Sequence, residues 1–193
     1  MRFFPLTALA VVVLMGCRSE PSRPDLNTLL ADLRSPDTAK SGQARLQLIM
    51  LGEPAVPPIA EMLRSGTPAE RIAAVNTLWG MGARARAAVP ELVAALTGSD
   101  PALRVVAAMA LENMGPAAEP AVPALVKALG DRERPVRQAV VKALGAIGPD
   151  AAPALPALSR LLRRGSWPEA EEAVRRIRGL RPGTPLGEAT DTP

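Results

Sequence analysis

The chain repeats itself every 33 residues, and this period limits its folding choices more than any other feature. Leu26, Ile59, Leu92, Leu125 and Leu158 are spaced 33 apart. Leu30, Leu63, Leu96, Leu129 and Leu162 keep the same step. So do Pro57, Pro90, Pro123 and Pro156, with Val56, Val89, Val122 and Leu155 just before them. Gly82, Gly115 and Gly148 form another series, as do Leu78, Leu111 and Leu144. Arg71, Arg104 and Arg137 form one more. A fixed period of this length is the signature of stacked units, each too small to cover its own apolar face.

Each unit reads as two helices. Pro101–Met114 is one, with Asp100 at its N-cap and Pro101 at its first position. Val105, Ala108, Leu111 and Met114 place apolar groups on one face at steps of three. Gly115-Pro116 stops it. A second helix starts near Pro123 and turns Val122, Leu125, Val126 and Leu129 inward until Gly130. The same grammar runs through Glu70–Met81 and Pro90–Leu96, and through Pro135–Ile147 and Ala154–Leu162. At the ends the match is partial. Leu26 to Leu33 matches only a second helix, and Ala170 to Ile177 only a first. Gly52 lies 30 residues before Gly82, a three-residue shift. The expectation is an all-α chain of about ten helices, or five pairs. Composition agrees: hydrophobic residues are 48% of the chain but aromatics only 2%. The apolar mass is Ala, Leu and Val, which suits closely packed helices.

The stretch Asp100-Pro101-x-x-Arg104-x-x-Ala107-Ala108-x-Ala110-Leu111, followed by Met114-Gly115-Pro116-Ala117-Ala118 and Val122-Pro123-Ala124-Leu125, closely resembles a HEAT repeat. It is most similar to the HEAT-like subtype associated with phycobilisome lyases. Residues 131–162 match as well, and the resemblance spans roughly 26–178. It implies an α-α superhelix with a concave protein-binding surface, and it is unspecific for function. In such arrays the second helices usually line the concave face. Here that column is Glu61, Ala94, Lys127 and Arg160, with Glu91 beside it. These residues are the expected groove.

The first residues carry an address. Met1-Arg2 is followed by an almost wholly apolar run from Phe3 to Met15, in the pattern of a secretory signal. The run is shorter than the roughly 20 residues a membrane span needs. Leu14-Met15-Gly16-Cys17 resembles the lipobox of bacterial lipoproteins. That resemblance implies cleavage before Cys17, the chain's single cysteine, and lipidation of it. An ordinary signal peptide with an incidental Cys is the other reading. Two or more acyl chains anchor stably, at about 0.8 kcal/mol per buried CH₂. The expected division is a signal peptide over 1–16, a tether over 17–24, the repeat domain over 25–179 and a disordered tail over 180–193. In lipoproteins of two-membrane bacteria, Asp after the lipidated Cys often signals inner-membrane retention. Arg18 stands there, which favours the outer membrane, facing the periplasm.

The residue inventory excludes much chemistry. There is no His and no Tyr, so no His-based acid/base pair, Cys/His nucleophile or His-containing metal site can be built. One cysteine cannot form an internal disulfide. No cofactor, metal or small-molecule substrate is expected, and no enzyme activity. The net charge of +4 is mild for a helical array, and stacking aromatics are too few for a nucleic-acid partner.

Four patterns bear on a site. Arg71, Arg104 and Arg137 could form an anion-binding stripe. The structural reading is preferred, because Asp100 to Arg104 and Glu133 to Arg137 are four apart and can pair on a helix. Gly80-Met81-Gly82-Ala83-Arg84-Ala85 has the spacing of a dinucleotide fingerprint, but a helix precedes it and no strand pattern exists, so it reads as a turn. Glu169, Glu171 and Glu172 fall in the first turn of the last helix, where acids favour the helix dipole. Trp79 stands in a column with Glu112 and Gly145, which suggests exposure, and exposed Trp is enriched at interface hot spots. Trp167 is expected to cover the C-terminal edge. The functional expectation is a membrane-anchored protein-interaction scaffold of the bacterial envelope. The alternative is an accessory factor of the bilin-lyase-like class.

Overall fold

In the computed structural model, residues 25–181 and 183–186 are described. The signal sequence, Cys17 and the tether lie outside the described residues, as do 182 and 187–193 of the expected tail.

Helix starts follow from caps. Asp25 accepts the Thr28 N–H and opens α1 (Leu26–Leu33). Asp37 accepts from Ala39 and Lys40 and opens α2 (Thr38–Leu51). Thr67 and Glu70 form a reciprocal capping box at α4 (Pro68–Met81). Asp100 accepts from Ala102 at α6 (Pro101–Met114). The remaining helices are α3 (Val56–Ser65), α5 (Val89–Leu96), α7 (Val122–Ala128), α8 (Arg134–Ile147), α9 (Leu155–Leu162) and α10 (Pro168–Ile177). These make ten α-helices among the described residues, as the period predicts. Long and short helices alternate from α2 onward.

The long helices α2, α4, α6 and α8 end at Gly52, Gly82, Gly115 and Gly148, all at positive φ, where a side chain would be strained. After each glycine the chain tightens into a 3₁₀ segment. After α4, α6 and α8 these are Gly82–Ala88, Gly115–Ala121 and Gly148–Ala154. The sequence reading made them plain turns. They carry their own ladder of buried alanines: Ala85, Ala118 and Ala151, and Ala88, Ala121 and Ala154. Only small side chains let successive segments lie against one another, as these do.

The phase of the pairing differs from the expected one. Each long helix packs on the short helix before it, so the pairs are α1/α2, α3/α4, α5/α6, α7/α8 and α9/α10. α4 hardly touches α5, nor α6 α7, because a 3₁₀ segment carries the chain across to the next pair. A period does not reveal its own phase.

The long helices α4, α6, α8 and α10 lie side by side along their length, whereas the short helices meet only sparsely. The more closely spaced layer is the inside of a bend. The long helices therefore line the inner face and the short ones the outer face. α8 and α10 approach closely backbone to backbone at Gly145, where an added Cβ would stand 3.0 Å from the Ala173 Cα and 3.1 Å from its Cβ. A Gly145→Val replacement forces α10 outward. A loss of about 1–3 kcal/mol is expected, the range for overpacking, read as a lower midpoint in thermal melting by circular dichroism.

The core is one continuous strip of Leu, Val, Ile and Ala through all five pairs. Leu48, Leu78, Leu111 and Leu144 are fully buried along it. At the C-terminal end, residues 183–186 run back along α10. Arg175 donates to the Thr184 carbonyl at 2.8 Å and Arg178 to that of Leu186 at 3.2 Å. Leu186 rests against the end of the core.

Candidate protein-binding face

The arginine ladder is structural, but by contacts other than the expected ones. Arg71 donates to the Leu63 carbonyl at 2.9 Å, across the turn into its own helix. Arg104 is 6% exposed and donates to the Gly98 and Ser99 carbonyls, both at 3.1 Å. It also grips Asp131 with two nitrogens, at 2.8 and 3.1 Å. Arg137 donates to the Asp131 and Arg132 carbonyls, at 2.6 and 3.0 Å. The expected pairs Asp100–Arg104 and Glu133–Arg137 do not form: Asp100 is occupied as a cap and Glu133 lies near Arg132. Burial raises the pKa of Asp131, but the bonds from Arg104 and from the Glu133 N–H outweigh it and hold the carboxyl below its usual range. Two rungs reach the next pair, Arg104 through Asp131 and Arg137 at the Trp167 ring, whereas Arg71 bonds only within its own pair.

Glycines 80 and 82 belong to the end of α4 and its turn, with no strand before them. Glu169, Glu171 and Glu172 are occupied by local partners. Gln138 donates to Glu169, while Arg175 and Arg176 pair with Glu171 and Glu172. The Trp167 ring lies under two guanidiniums, Arg134 at 5.4 Å and Arg137 at 5.7 Å, which fastens the start of α10 to α8.

The expected groove residues do not share a face with Trp79. Glu61 (α3), Glu91 (α5), Lys127 (α7) and Arg160 (α9) sit on the outer layer of short helices. Trp79 is on α4, in the inner layer. Glu61 pairs with Arg64 one turn on, and that bond holds its carboxyl below the ordinary range. The Glu91 Oε2 is buried without a hydrogen-bond partner among the described residues. Lys127 and Arg160 are exposed.

On the inner face the structure assembles an apolar patch. Trp79 is 49% exposed, as its column suggests, and Met109 of α6 beside it 44%. With Asn76 and Val106 they line a pocket of about 180 Å³ between α4 and α6. Asn113 donates to the Trp79 carbonyl at 2.7 Å and fastens the two helices at that point. On α2, Leu46 is 61% exposed at the position equivalent to Asn76, and Met50 is 81% exposed toward the N-terminal edge of the array. Leu46, Met50 and Met109 are not among the expected site residues. Once the three-residue shift at Gly52 is applied, Leu46 falls in the column of Asn76, Met109 and Lys142. Ile49 falls in that of Trp79 and Glu112. Leu46 and Met109 thus lie off the buried stripe, which was the available signal.

Toward α8 and α10 the same face turns polar. Glu112, Lys142, Glu169, Glu172 and Arg176 border an open depression of about 470 Å³. Among the described residues no group of acids or cysteine is placed to hold a metal ion, and no helix is long and apolar enough to cross a membrane.

Comparison with known proteins defines the class. The family model described as HEAT repeats matches residues 89–178. That stretch runs from the first residue of α5 to just past α10, three whole short–long pairs, and so keeps the phase that the packing shows. Among solved structures, the complex of CpcE and CpcF of phycocyanin lyase from Nostoc sp. PCC7120 aligns with a TM-score of 0.62 at 21% identity. It covers 79% of this chain and 97% of that one. A designed armadillo repeat protein in complex with the peptide (KR)4 aligns at 0.59 and 20%, over 78% and 80% of the two chains. An engineered protein aligns at 0.59 and 23%, over 79% and 78%. What these share with the chain is the fold. No curated protein matches in sequence. The helical array is a HEAT-like α-α solenoid, and residues 89–178 match the model of HEAT repeats.

Proposed function

We propose that this chain is a protein-interaction scaffold. Its inner face takes an apolar segment of a partner protein, and lipid on Cys17 holds it at the membrane of a bacterial envelope. The observation that carries this reading is the exposed Trp79 and Met109 lining one pocket between α4 and α6, with Leu46 exposed at the equivalent position on α2. Exposed apolar patches of this kind mark interaction sites, and Trp is the residue type most enriched in their energetic centres. The adjoining polar half supplies the rim. A chain without His or Tyr has little with which to do acid/base or nucleophilic chemistry on what it binds. The anchor rests on the lipobox-like junction, and the outer-membrane, periplasm-facing site rests on Arg18.

The test is crosslinking in living cells of a two-membrane bacterium. The full chain carries a C-terminal tag, and partners from separated membranes are identified by mass spectrometry. The wild type is expected to fractionate with the outer membrane and to carry one reproducible envelope protein. Trp79→Ala is expected to lower recovery of that partner at least tenfold, from a loss of about 2 kcal/mol. Cys17→Ala is expected to release the chain from the membrane. A partner retained in full by Trp79→Ala would sink the inner-face assignment. Attachment unchanged in Cys17→Ala would sink the anchor. Recovery of cytoplasmic enzymes alone would move the accessory-factor reading ahead of the scaffold.

A further inference from the structure

The far end of the array carries a second surface. Lys127 of α7 and Arg160 of α9 are one repeat apart on the outer layer. In sequence they are two isolated cations. The fold adds Arg132 from the turn between α7 and α8, Arg134 at the start of α8, and Arg163 and Arg164 from the corresponding turn one pair along. All six are exposed. The two turns are physically joined, since Arg134 stacks on Trp167, three residues past Arg164.

The cluster is not neutralised. Of the acids on these turns, Asp131 is occupied by Arg104, which grips both its oxygens. Glu133 is left, 3.6 Å from Arg132. Glu169, Glu171 and Glu172 are occupied by Gln138, Arg175 and Arg176. On the α5 side of Lys127 and Arg132 the edge continues into a shallow depression of about 380 Å³ between the Gly98 and Gly130 turns, where Asp131 is held in its pair with Arg104. It has the open shape that an extended backbone can enter. Guanidiniums bind carboxylates with two parallel bonds, a geometry lysines cannot match. Arg134 is also held in place by its ring contact.

We infer that this edge, over the last two pairs, binds an acidic peptide segment of a protein partner, separately from the apolar inner face. Carboxylates fit better than the other polyanions. The one aromatic here, Trp167, already has its ring under Arg134 and Arg137, so no free stacking platform is offered to nucleic-acid bases. A bilayer fits less well: on the proposed anchoring at Cys17, the chain enters the array at Asp25, the end opposite the cluster. With helix layers 8–10 Å apart, the cluster stands roughly 30 Å or more along the array from that end.

The experiment uses the full chain in mild detergent and a fluorescent peptide of about twelve Glu and Asp residues, titrated by anisotropy at low and physiological salt. Binding that weakens with salt is expected. Arg163→Glu/Arg164→Glu is expected to weaken it at least tenfold. Arg84→Glu/Arg86→Glu alters the charge by the same amount on the 3₁₀ segment after α4 and is expected to leave it nearly unchanged. Trp79→Ala should not affect it, which separates this surface from the inner-face reading. Equal losses in the two charge-reversed variants would overturn the proposal, reducing it to net charge. So would no peptide binding, or a DNA duplex or short-chain phosphatidylglycerol competing better than free acidic peptide.

Discussion

Replacing Arg104 by alanine is expected to lower stability by about 3 kcal/mol, a shift in melting midpoint on the order of 10 °C for a chain of this size. The guanidinium is buried and serves four acceptors: both Asp131 oxygens and the carbonyls of Gly98 and Ser99. Removing it strips Asp131, whose side chain is 12% exposed, of its bonded counter-ion and leaves only the Glu133 N–H and the exposed Arg132 nearby. A buried charge without its partner costs more than the pair contributes, so the single variant should be worse than the double. Arg104→Leu/Asp131→Leu is accordingly expected to recover more than half of the loss. Acid supplies an independent check. The folded-state pKa of Asp131 is lowered, so its contribution is present above the ordinary Asp value of about 3.9 and disappears as pH falls through the folded value. In Arg104→Ala, protonation relieves the stranded charge, and the gap between variant and wild type should narrow below about pH 4. Urea unfolding at pH 7 and pH 3.5 reads both effects. A single variant no worse than the double would mean that the loop carbonyls, not Asp131, dominate the role of Arg104.

Arg104 also shows where reading the sequence stops. Its column was visible, and so was its structural role, but its partner lies 27 residues away in the turn of the next pair. Spacing along one helix pointed to Asp100, which is occupied as a cap. The helices themselves were legible, because Pro, Gly and Asp at fixed offsets mark their ends by local backbone physics. The phase of the pairing was not. It depends on which of two connections is a tight turn and which a 3₁₀ crossover, and Gly115-Pro116-Ala117-Ala118 reads as either. From that single ambiguity came the misplacement of Glu61, Glu91, Lys127 and Arg160 on the concave side. Trp79 escaped it, because exposure could be argued from its own column. Leu46 and Met50 were hidden by three residues missing from the first repeat. The arginine cluster was hidden because its members come from two turns that only the stacking brings together.

Leu111→Ala is expected to destabilise the protein by about 3 kcal/mol, within the usual range for emptying a buried leucine site. Leu111 is fully buried in α6, the middle long helix of the array. α6 packs on α5 within its own pair, and on α4 and α8 to either side. Loosening it weakens two interfaces between pairs, whereas Leu29 of the terminal α1 has one neighbouring pair only. In a chain whose stability is a sum of units and nearest-neighbour interfaces, that difference governs the shape of unfolding. Leu29→Ala should lower stability less and leave the denaturant slope unchanged. Leu111→Ala should also lower the slope, because the array can then open in two parts instead of one cooperative transition. Fluorescence of Trp79 and Trp167, one on each side of α6, can follow the two parts through single-tryptophan variants. Coincident urea transitions at both tryptophans, with an unaltered slope, would show that the pairs remain one cooperative unit even with a gap at their centre.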